Sequence, residues 1–196
     1  MLNKRDKELR IVMSNYDDKR NPWYAGGGAI VVHEVARRLA KTYSVEVITG
    51  SYPGSKKREV IDGVCYQRVG FSFFGPWIGQ LSYWILLPFY SVFRTFDVWI
   101  ESFVPPFGVS ILPWITSKPV IGLIHMLPGM DMWRKYRLPF FLFERMGLRW
   151  YDRFIVLSDS MGKAIQKYNK RAKIHVIPNG VDMPNLGKKR EKEHLL

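Results

Sequence analysis

Short apolar runs alternate in this chain with stretches of helical periodicity, and this alternation limits the fold more than any other feature. Runs with the length of strands cover residues 9–14, 45–49, 64–69, 96–101, 119–124, 152–157 and 173–178. Between them, helices are predicted over residues 30–39, 104–115, 138–150 and 160–168. Because strands that alternate with helices form βαβ units, the sequence predicts a mostly parallel, doubly wound α/β sheet of about seven strands.

The composition is that of a globular domain without disulfide bonds. Of the 196 residues, 47% are hydrophobic and 24% are charged, and a chain of this size buries a core without disulfides. The one cysteine, Cys65, has no partner, which favours a reducing compartment. The apolar run of residues 11–13 that follows the charged N-terminus is too short for a signal peptide. We therefore expect one domain over residues 1–182 and a cytoplasmic location.

The net charge of +13 predicts an anionic partner. Nucleic acid is not expected, because the basic residues are spread along the chain and no zinc-finger, RNP-type or basic-helix pattern is present. The four histidines share no ligand spacing, so no metal site and no cofactor are predicted. Phosphorylated small molecules and an anionic membrane surface remain as partners, and the aromatic content of 15% favours the membrane.

Ligands bind outside the carboxyl ends of the strands in sheets of this kind, which directs attention to the segments that follow the strands. Gly26, Gly27 and Gly28 precede a predicted helix, where bare backbone N–H groups and the helix dipole favour an anion such as a phosphate. A glycine hinge that lets the helix pack closely is the alternative interpretation. The glycines do not form the G-x-G-x-x-G pattern of dinucleotide sites.

Two further strand ends carry candidate site residues. His125 ends the most apolar strand, so its imidazole is a candidate to bind a substrate hydroxyl or to stabilise developing charge. A histidine that only ties its loop to a backbone carbonyl is the alternative. Ser158 precedes a predicted helix and is interpreted mainly as its N-cap, with a ligand contact as a second hypothesis. A serine hydrolase fits poorly, because there is no G-x-S-x-G elbow.

Two aromatic segments predict contact with a membrane surface. Residues 71–93 form a long uncharged run, but Pro76 and Pro88 interrupt it and strands of one sheet lie on both sides, so a buried or interfacial helix is predicted rather than a spanning one. Residues 132–150 mix aromatic with basic side chains. Peripheral docking would use residues of both segments: Trp77, Trp84, Trp133, Arg134, Lys135 and Arg137. The alternative is that the aromatics are core and the charges form a solvated face.

The last strand runs into a Pro178-Asn179-Gly180 turn and then Val181-Asp182. A charged stretch, residues 183–196, follows and is expected to be a linker toward a further domain.

These segments together resemble the N-terminal half of a GT-B glycosyltransferase of the large retaining family 4. The resemblance covers nearly the whole chain and is carried by the glycine loop with its helix and by the following strands at residues 45–49, 96–100, 120–125, 152–158 and 174–182. The Ile-Pro-Asn-Gly-Val-Asp turn at residues 177–182 is its most specific element. A Lys-Thr-Tyr-Ser stretch at residues 41–44 departs from the Gly-His pair that is common in the family.

The resemblance implies a Rossmann-like, acceptor-binding domain and a nucleotide-diphosphate sugar as the donor. Gly26, Gly27, Gly28, Ser158 and Asn179 would then lie near the donor diphosphate or the acceptor, with His125 as the catalytic candidate. The family's donor site lies mostly in a C-terminal domain that these 196 residues do not include. The aromatic insert at residues 71–90 indicates a lipid-linked or membrane-presented acceptor.

Two other classes of protein remain open at the level of sequence. A non-catalytic basic adaptor, or a split subunit that docks on a membrane or a partner chain, would have the same pattern. A nucleotide-sugar epimerase or dehydrogenase is disfavoured by the absence of G-x-G-x-x-G after the first strand.

Overall fold

The computed structural model describes residues 9–105 and 109–180, and these residues build one eight-stranded sheet in the order β3-β4-β2-β1-β5-β6-β7-β8. All neighbouring strands are parallel except β3 and β4. The strands are β1 Arg10–Ser14, β2 Ser44–Gly50, β3 Arg58–Ile61, β4 Val64–Val69, β5 Val98–Ser102, β6 Val120–Ile124, β7 Arg153–Val156 and β8 Lys173–Val176. The predicted mostly parallel, doubly wound α/β sheet is confirmed.

The strand β3 was missed by the sequence prediction, which expected about seven strands. It pairs with β4 through a tight turn in which Asp62 and Gly63 both have positive φ, 52° and 80°. Of its four residues only Ile61 is buried, as is typical of an edge strand whose polar residues contribute little to an apolar pattern.

Six helices connect the strands of the described residues: α1 Gly27–Leu39, α2 Gly75–Val92, α3 Leu112–Ile115, α4 Gly129–Tyr136, α5 Phe140–Gly147 and α6 Asp159–Gln166. One buried cluster, containing Trp99 and Phe154, lies on one face of the sheet together with residues of α2 and α6. The second cluster contains Met13 and Leu123 and lies on the face covered by α1. Both faces of the sheet are therefore packed, as a parallel sheet requires.

Two helix predictions need correction. The helix expected over residues 104–115 is limited to α3, and residues 106–108 lie outside the described part of the chain. Ser110 is buried outside any helix because its hydroxyl bonds a buried carboxylate, that of Glu101. The helix expected over residues 138–150 is only α5, and α4 precedes it. The two are separated by Arg137, which has a φ of 57°, and by Pro139.

The long apolar segment forms α2, a helix that packs on the sheet. One side of α2 packs on the sheet through residues that include Tyr83 and Leu87, which are almost completely buried. The opposite side leaves Trp77, Leu81 and Phe89 about half exposed or more. Within the described residues, no helix has both the length and the apolar character needed to cross a bilayer.

Candidate active site

The site lies at the carboxyl edge of the sheet, where α1 begins. Gly26 is the N-cap of α1 and has no side chain to satisfy the first amides, while Gly27 and Gly28 form the first turn. The amide of Ala29 already donates to the carbonyl of Gly26. The first turn is therefore open to a ligand in the way that the sequence predicts, although the diphosphate role of the three glycines stays a prediction.

Gly28 and His125 are brought together by the fold. A Cβ built on Gly28 would lie 3.6 Å from Cδ2 and 4.0 Å from Nε2 of His125, so the imidazole packs against the first turn of α1. Neither ring nitrogen has a hydrogen-bond partner in the described residues, although both are buried. Burial lowers the pKa of His125, which favours a neutral ring at pH 7. A neutral imidazole can donate one hydrogen bond and accept another.

Asp17 is a site residue that the sequence prediction missed. A Cβ on Gly26 would lie only 2.9 Å from its Oδ2, so the carboxyl group packs against the N-cap of α1. Burial raises the pKa of Asp17 to about 6. The available signal was an acidic residue three positions after a strand that ends at the site, but the length of the intervening loop hid its contact with Gly26.

Two more polar side chains end at this edge without partners. Asn15 follows β1 and Ser102 ends β5, and the Cα pairing of Ser14 with Glu101 makes these two residues neighbours across the strands. Asn15 Oδ1 and Ser102 Oγ are buried and have no hydrogen-bond partner in the described residues. The Nδ2 of Asn15 donates to the carbonyl of Asp17 at 3.0 Å and so orients the start of the loop.

The two remaining predicted site residues, Ser158 and Asn179, follow the strands β7 and β8. Ser158 is the N-cap of α6, where its hydroxyl accepts a hydrogen bond from the amide of Met161 and also contacts Ser160 Oγ at 2.9 Å. Its predicted capping role is confirmed. Asn179 is exposed after β8, and Val181 and Asp182 lie outside the described residues, as does the predicted linker at 183–196.

A buried carboxyl group lies at the same edge of the sheet, on the face opposite to α1. Glu101 Oε2 accepts hydrogen bonds from Tyr151 at 2.7 Å and from Ser110 at 2.9 Å, and all three side chains are buried. Burial raises the pKa of Glu101 to about 7 in spite of these two donors. Glu101 and Ser14 also line a small cavity with Tyr16, Gln80 and Ser102.

The basic side chains of the loop after β1 form ion pairs with acidic residues of β3 and of the turn that follows it. Lys19 bonds Asp62 at 2.9 Å, and Arg20 bonds Glu59 at 2.7 Å. The fully buried Arg68 of β4 pairs with Asp18 at 3.0 Å and with Glu59. These contacts fasten the loop to β3 and β4, and Lys19 Nζ also lies 2.8 Å from Nε2 of His33 on α1.

An exposed apolar surface borders the site. It comprises the outer side of α2 with the residues leading into it and the outer side of α4 and α5: Phe71, Phe73, Phe74, Trp77, Ile78, Leu81, Ile85, Phe89, Met130, Trp133, Leu138, Leu142 and Phe143. The rings of Trp77 and Tyr136 join its two halves, with centroids 5.3 Å apart and planes at 86°. We call this set, with Tyr136, the aromatic surface.

The basic residues predicted for membrane contact lie on or beside this surface. Arg134 and Lys135 are exposed on α4, and Arg137 is its exposed C-cap. The ammonium group of Lys135 lies 5.1 Å from the ring centroid of Tyr136. Trp84 does not belong to the aromatic surface, because it is half-buried and packs against the core.

Comparison with solved structures shows that the fold is similar to that of several synthases. A sucrose-phosphate synthase from Thermosynechococcus elongatus matches at 14% identity with a TM-score of 0.66, covering 89% of this chain and 49% of that one. A second structure of that synthase matches at 13% identity with a TM-score of 0.59, covering 89% and 91%. A UDP-forming trehalose-phosphate synthase from Burkholderia xenovorans matches at 12% identity and a TM-score of 0.53, covering 89% and 48%.

This chain therefore spans about half the length of the full synthases. At these identities the likeness concerns the fold, which is the Rossmann-like N-terminal half of a GT-B protein. No curated protein matches the sequence significantly. The sequence profile of Glycosyltransferase Family 4, in contrast, matches residues 25–184, from the glycine loop to the turn after β8. The chain belongs to Glycosyltransferase Family 4 and is an N-terminal domain of the GT-B fold.

Proposed function

We propose that this chain is the acceptor-side domain of a retaining glycosyltransferase that moves a sugar from a nucleotide-sugar donor to a lipid-linked acceptor at a membrane surface. Family membership supports the transfer reaction. The observation that carries the membrane acceptor is the aromatic surface, which begins beside the candidate active site. Tyr16, in the loop after β1, donates to the carbonyl of Pro76 at the start of α2, and α4 begins four residues after His125.

The character of this surface suits the headgroup region of an anionic membrane. Phe73 and Phe74 are more than two-thirds exposed, and exposed aromatics of this number are uncommon on the surface of a monomer in water. Arg134, Lys135 and Arg137 add positive charge at the α4 edge. Apolar contact and electrostatic attraction would act together in docking, and the head of the acceptor would then lie near the site at α1.

The chemistry required of this domain is to hold the acceptor hydroxyl in line and to stabilise the charge on the departing diphosphate. The open first turn of α1 is suited to stabilising the charge on the diphosphate, because its amides have no side-chain cap. A neutral His125 is suited to holding the acceptor hydroxyl, because neither of its ring nitrogens has a hydrogen-bond partner among the described residues. The donor nucleotide would be held mostly by a second domain outside these residues.

Vesicle flotation tests the membrane docking. We expect the 196-residue chain to float with vesicles of phosphatidylcholine and phosphatidylglycerol, and to float much less with phosphatidylcholine alone. The double variant Phe74→Ser, Phe89→Ser should lose most of this binding, because it removes two exposed rings from the aromatic surface. Val60→Ser is the matched control, since Val60 is 70% exposed but lies on β3. Undiminished flotation of the double variant would contradict the proposal.

A second expectation concerns activity. This chain alone should show no sugar transfer, because most contacts with the nucleotide sugar are expected from the second domain. The measurement is release of nucleoside diphosphate from UDP- and GDP-sugars in the presence of membrane lipid extracts. Sustained turnover by the purified chain would show that it carries a complete donor site.

A further inference from the structure

Helix α5 buries its glutamate and exposes most of its apolar side chains, which is the reverse of the usual pattern. Glu144 is 9% exposed, whereas Leu142, Phe143 and Met146 of the same helix are about half exposed. A buried carboxyl group costs free energy unless a hydrogen-bond donor or a cation compensates it. The partner of Glu144 therefore indicates what this carboxyl group does.

The carboxyl group of Glu144 is directed at the first residue of α4. Its Oε2 accepts a hydrogen bond of 2.8 Å from the amide of Gly129, and its side chain has no other hydrogen bond or ion pair among the described residues. The first amides of a helix lack partners within the helix, and the helix dipole favours a negative charge beside them. Glu144 thus takes the place of the N-cap residue, Pro128, whose side chain cannot accept a hydrogen bond.

The contact between Glu144 and Gly129 is closely packed. A Cβ on Gly129 would lie 2.7 Å from Cα of Phe141 and 2.9 Å from Oε1 of Glu144. Only glycine therefore lets α4 and α5 approach each other to this distance. The hydrogen bond and the absence of a side chain at position 129 together fix where the start of α4 lies on α5.

Helix α5 is itself held by the core. Phe140, at its start, and Leu148, directly after its end, are both buried. Gly147 packs against Val109 without space for a side chain. Glu144 is therefore presented by a helix that is anchored on both sides of it.

The contact with Glu144 also fixes one end of the loop that carries His125. Only residues 126–128 separate His125 from Gly129. At the other end, His125 directly follows Ile124, the last residue of β6, which is completely buried. The loop is therefore held by the sheet at one end and by Glu144 at the other.

The imidazole of His125 depends on this loop for its position. The ring packs against Gly28 in the first turn of α1, but neither of its nitrogens has a hydrogen-bond partner among the described residues. Packing and the path of the backbone therefore place the ring, because no hydrogen bond does. A displacement of about 1 Å in a catalytic group can lower the rate about a hundredfold, so the anchoring of this loop has consequences for catalysis.

We propose that Glu144 is a positioning residue, whose hydrogen bond to Gly129 holds the loop that places His125 against the first turn of α1. The inference rests on the proposed function for the part that His125 plays in transfer, but the position of the ring can be measured without any reaction. Glu144 acts through the backbone of Gly129 and does not itself contact a substrate.

NMR of the histidine rings in the 196-residue chain tests this role. The Cε1–H signal of His125 is identified among those of the four histidines by its loss in His125→Gln. In Glu144→Ala this signal should shift, and the pKa of His125 should rise toward its ordinary value of 6.5, because the ring becomes exposed to water. Removal of a nearby negative charge alone would lower this pKa, so the direction of the change separates displacement from electrostatics.

Glu144→Gln is the conservative variant. Its amide oxygen can still accept the hydrogen bond from Gly129, so the signal and the pKa of His125 should stay close to those of the wild-type chain. Met146→Ala, on the exposed side of α5, is the matched control and should change neither. The signal of His33, which is bonded to Tyr66, reports that the rest of the fold is intact.

Gly129→Ala tests the same contact from the other side and does not depend on whether Glu144→Ala folds. The added methyl group should push α4 away from Phe141 and Glu144 and should change the His125 signal and pKa in the same direction. An unchanged His125 signal in either folded variant would overturn the positioning role, as would an equal change in Glu144→Gln and Glu144→Ala. Membrane flotation and sugar transfer are measured separately, so such a result would leave the proposed function intact.

Discussion

The carboxyl oxygen Oδ2 of Asp17 lies 2.9 Å from the point where a Cβ of Gly26 would stand, so only glycine fits at the N-cap of α1 without displacing that carboxyl group. Gly27, the next residue, has nothing within 4 Å of the corresponding point. Two adjacent glycines at the start of α1 thus have different roles. Gly26 makes room for an acidic side chain, and Gly27 leaves the first turn of α1 open.

This difference predicts opposite effects for two alanine substitutions. Gly26→Ala should lower the free energy of unfolding by about 1 kcal/mol, through the contact with Asp17 and the poor capping by alanine. Gly27→Ala should leave it unchanged or raise it by about 0.5 kcal/mol, because alanine restricts the unfolded chain. Urea unfolding at constant pH measures both values.

The Asp17→Ala background provides the control for this pair. If the contact with Asp17 causes the loss, Gly26→Ala should cost less in that background than in the wild-type chain. An equal cost in both backgrounds would attribute the whole effect to helix capping.

The buried Glu101 predicts a pH dependence of stability. Its pKa is raised by burial from 4.5 to about 7, so the folded chain holds a proton on this group that the unfolded chain releases between these values. The contribution of protonated Glu101 to the free energy of unfolding is therefore complete below about pH 4.5 and is lost as the pH rises to about 7. The loss of unfolding free energy over this pH range is at most about 3 kcal/mol.

Glu101→Gln removes this titration, so the loss of unfolding free energy between pH 5 and 8 should be smaller in the variant than in the wild-type chain. Tyr151→Phe should have the opposite effect, because it deletes a donor at 2.7 Å that favours the charged carboxylate. Chemical unfolding monitored by tryptophan fluorescence at several pH values measures both differences. Parallel pH profiles for wild type and Glu101→Gln would contradict the raised pKa.

The sheet was predictable from the chain because each parallel strand buried on both faces is a short apolar run in the sequence. Residues 119–124 and 152–157 are clear examples that became β6 and β7. The edge strand β3 was not predictable in this way, since three of its four residues are not buried. The break between α4 and α5 lies at Arg137, which has a positive φ, and at Pro139, a helix-breaking residue that the sequence prediction had placed inside a helix.

The aromatic surface was recognised in part from composition alone. The sequence indicated Trp77 and Trp133, which are exposed, but it also included Trp84, which packs on the core. The side of a nearly uniformly apolar helix that faces the sheet cannot be read from periodicity, because apolar residues lie on both sides of α2. Contact with the sheet decided which of these residues are exposed.

Local patterns thus determined the strands, the open glycine turn and His125 at the end of β6, because each depends on residues that are neighbours in sequence. Only the tertiary structure brought His125 to Gly28, Asp17 to Gly26 and Ser102 beside Asn15. The first and the last of these contacts join segments tens of residues apart, and strand order and register set them. Burial at that edge then shifts the pKa values of Asp17 and His125, which no single segment determines.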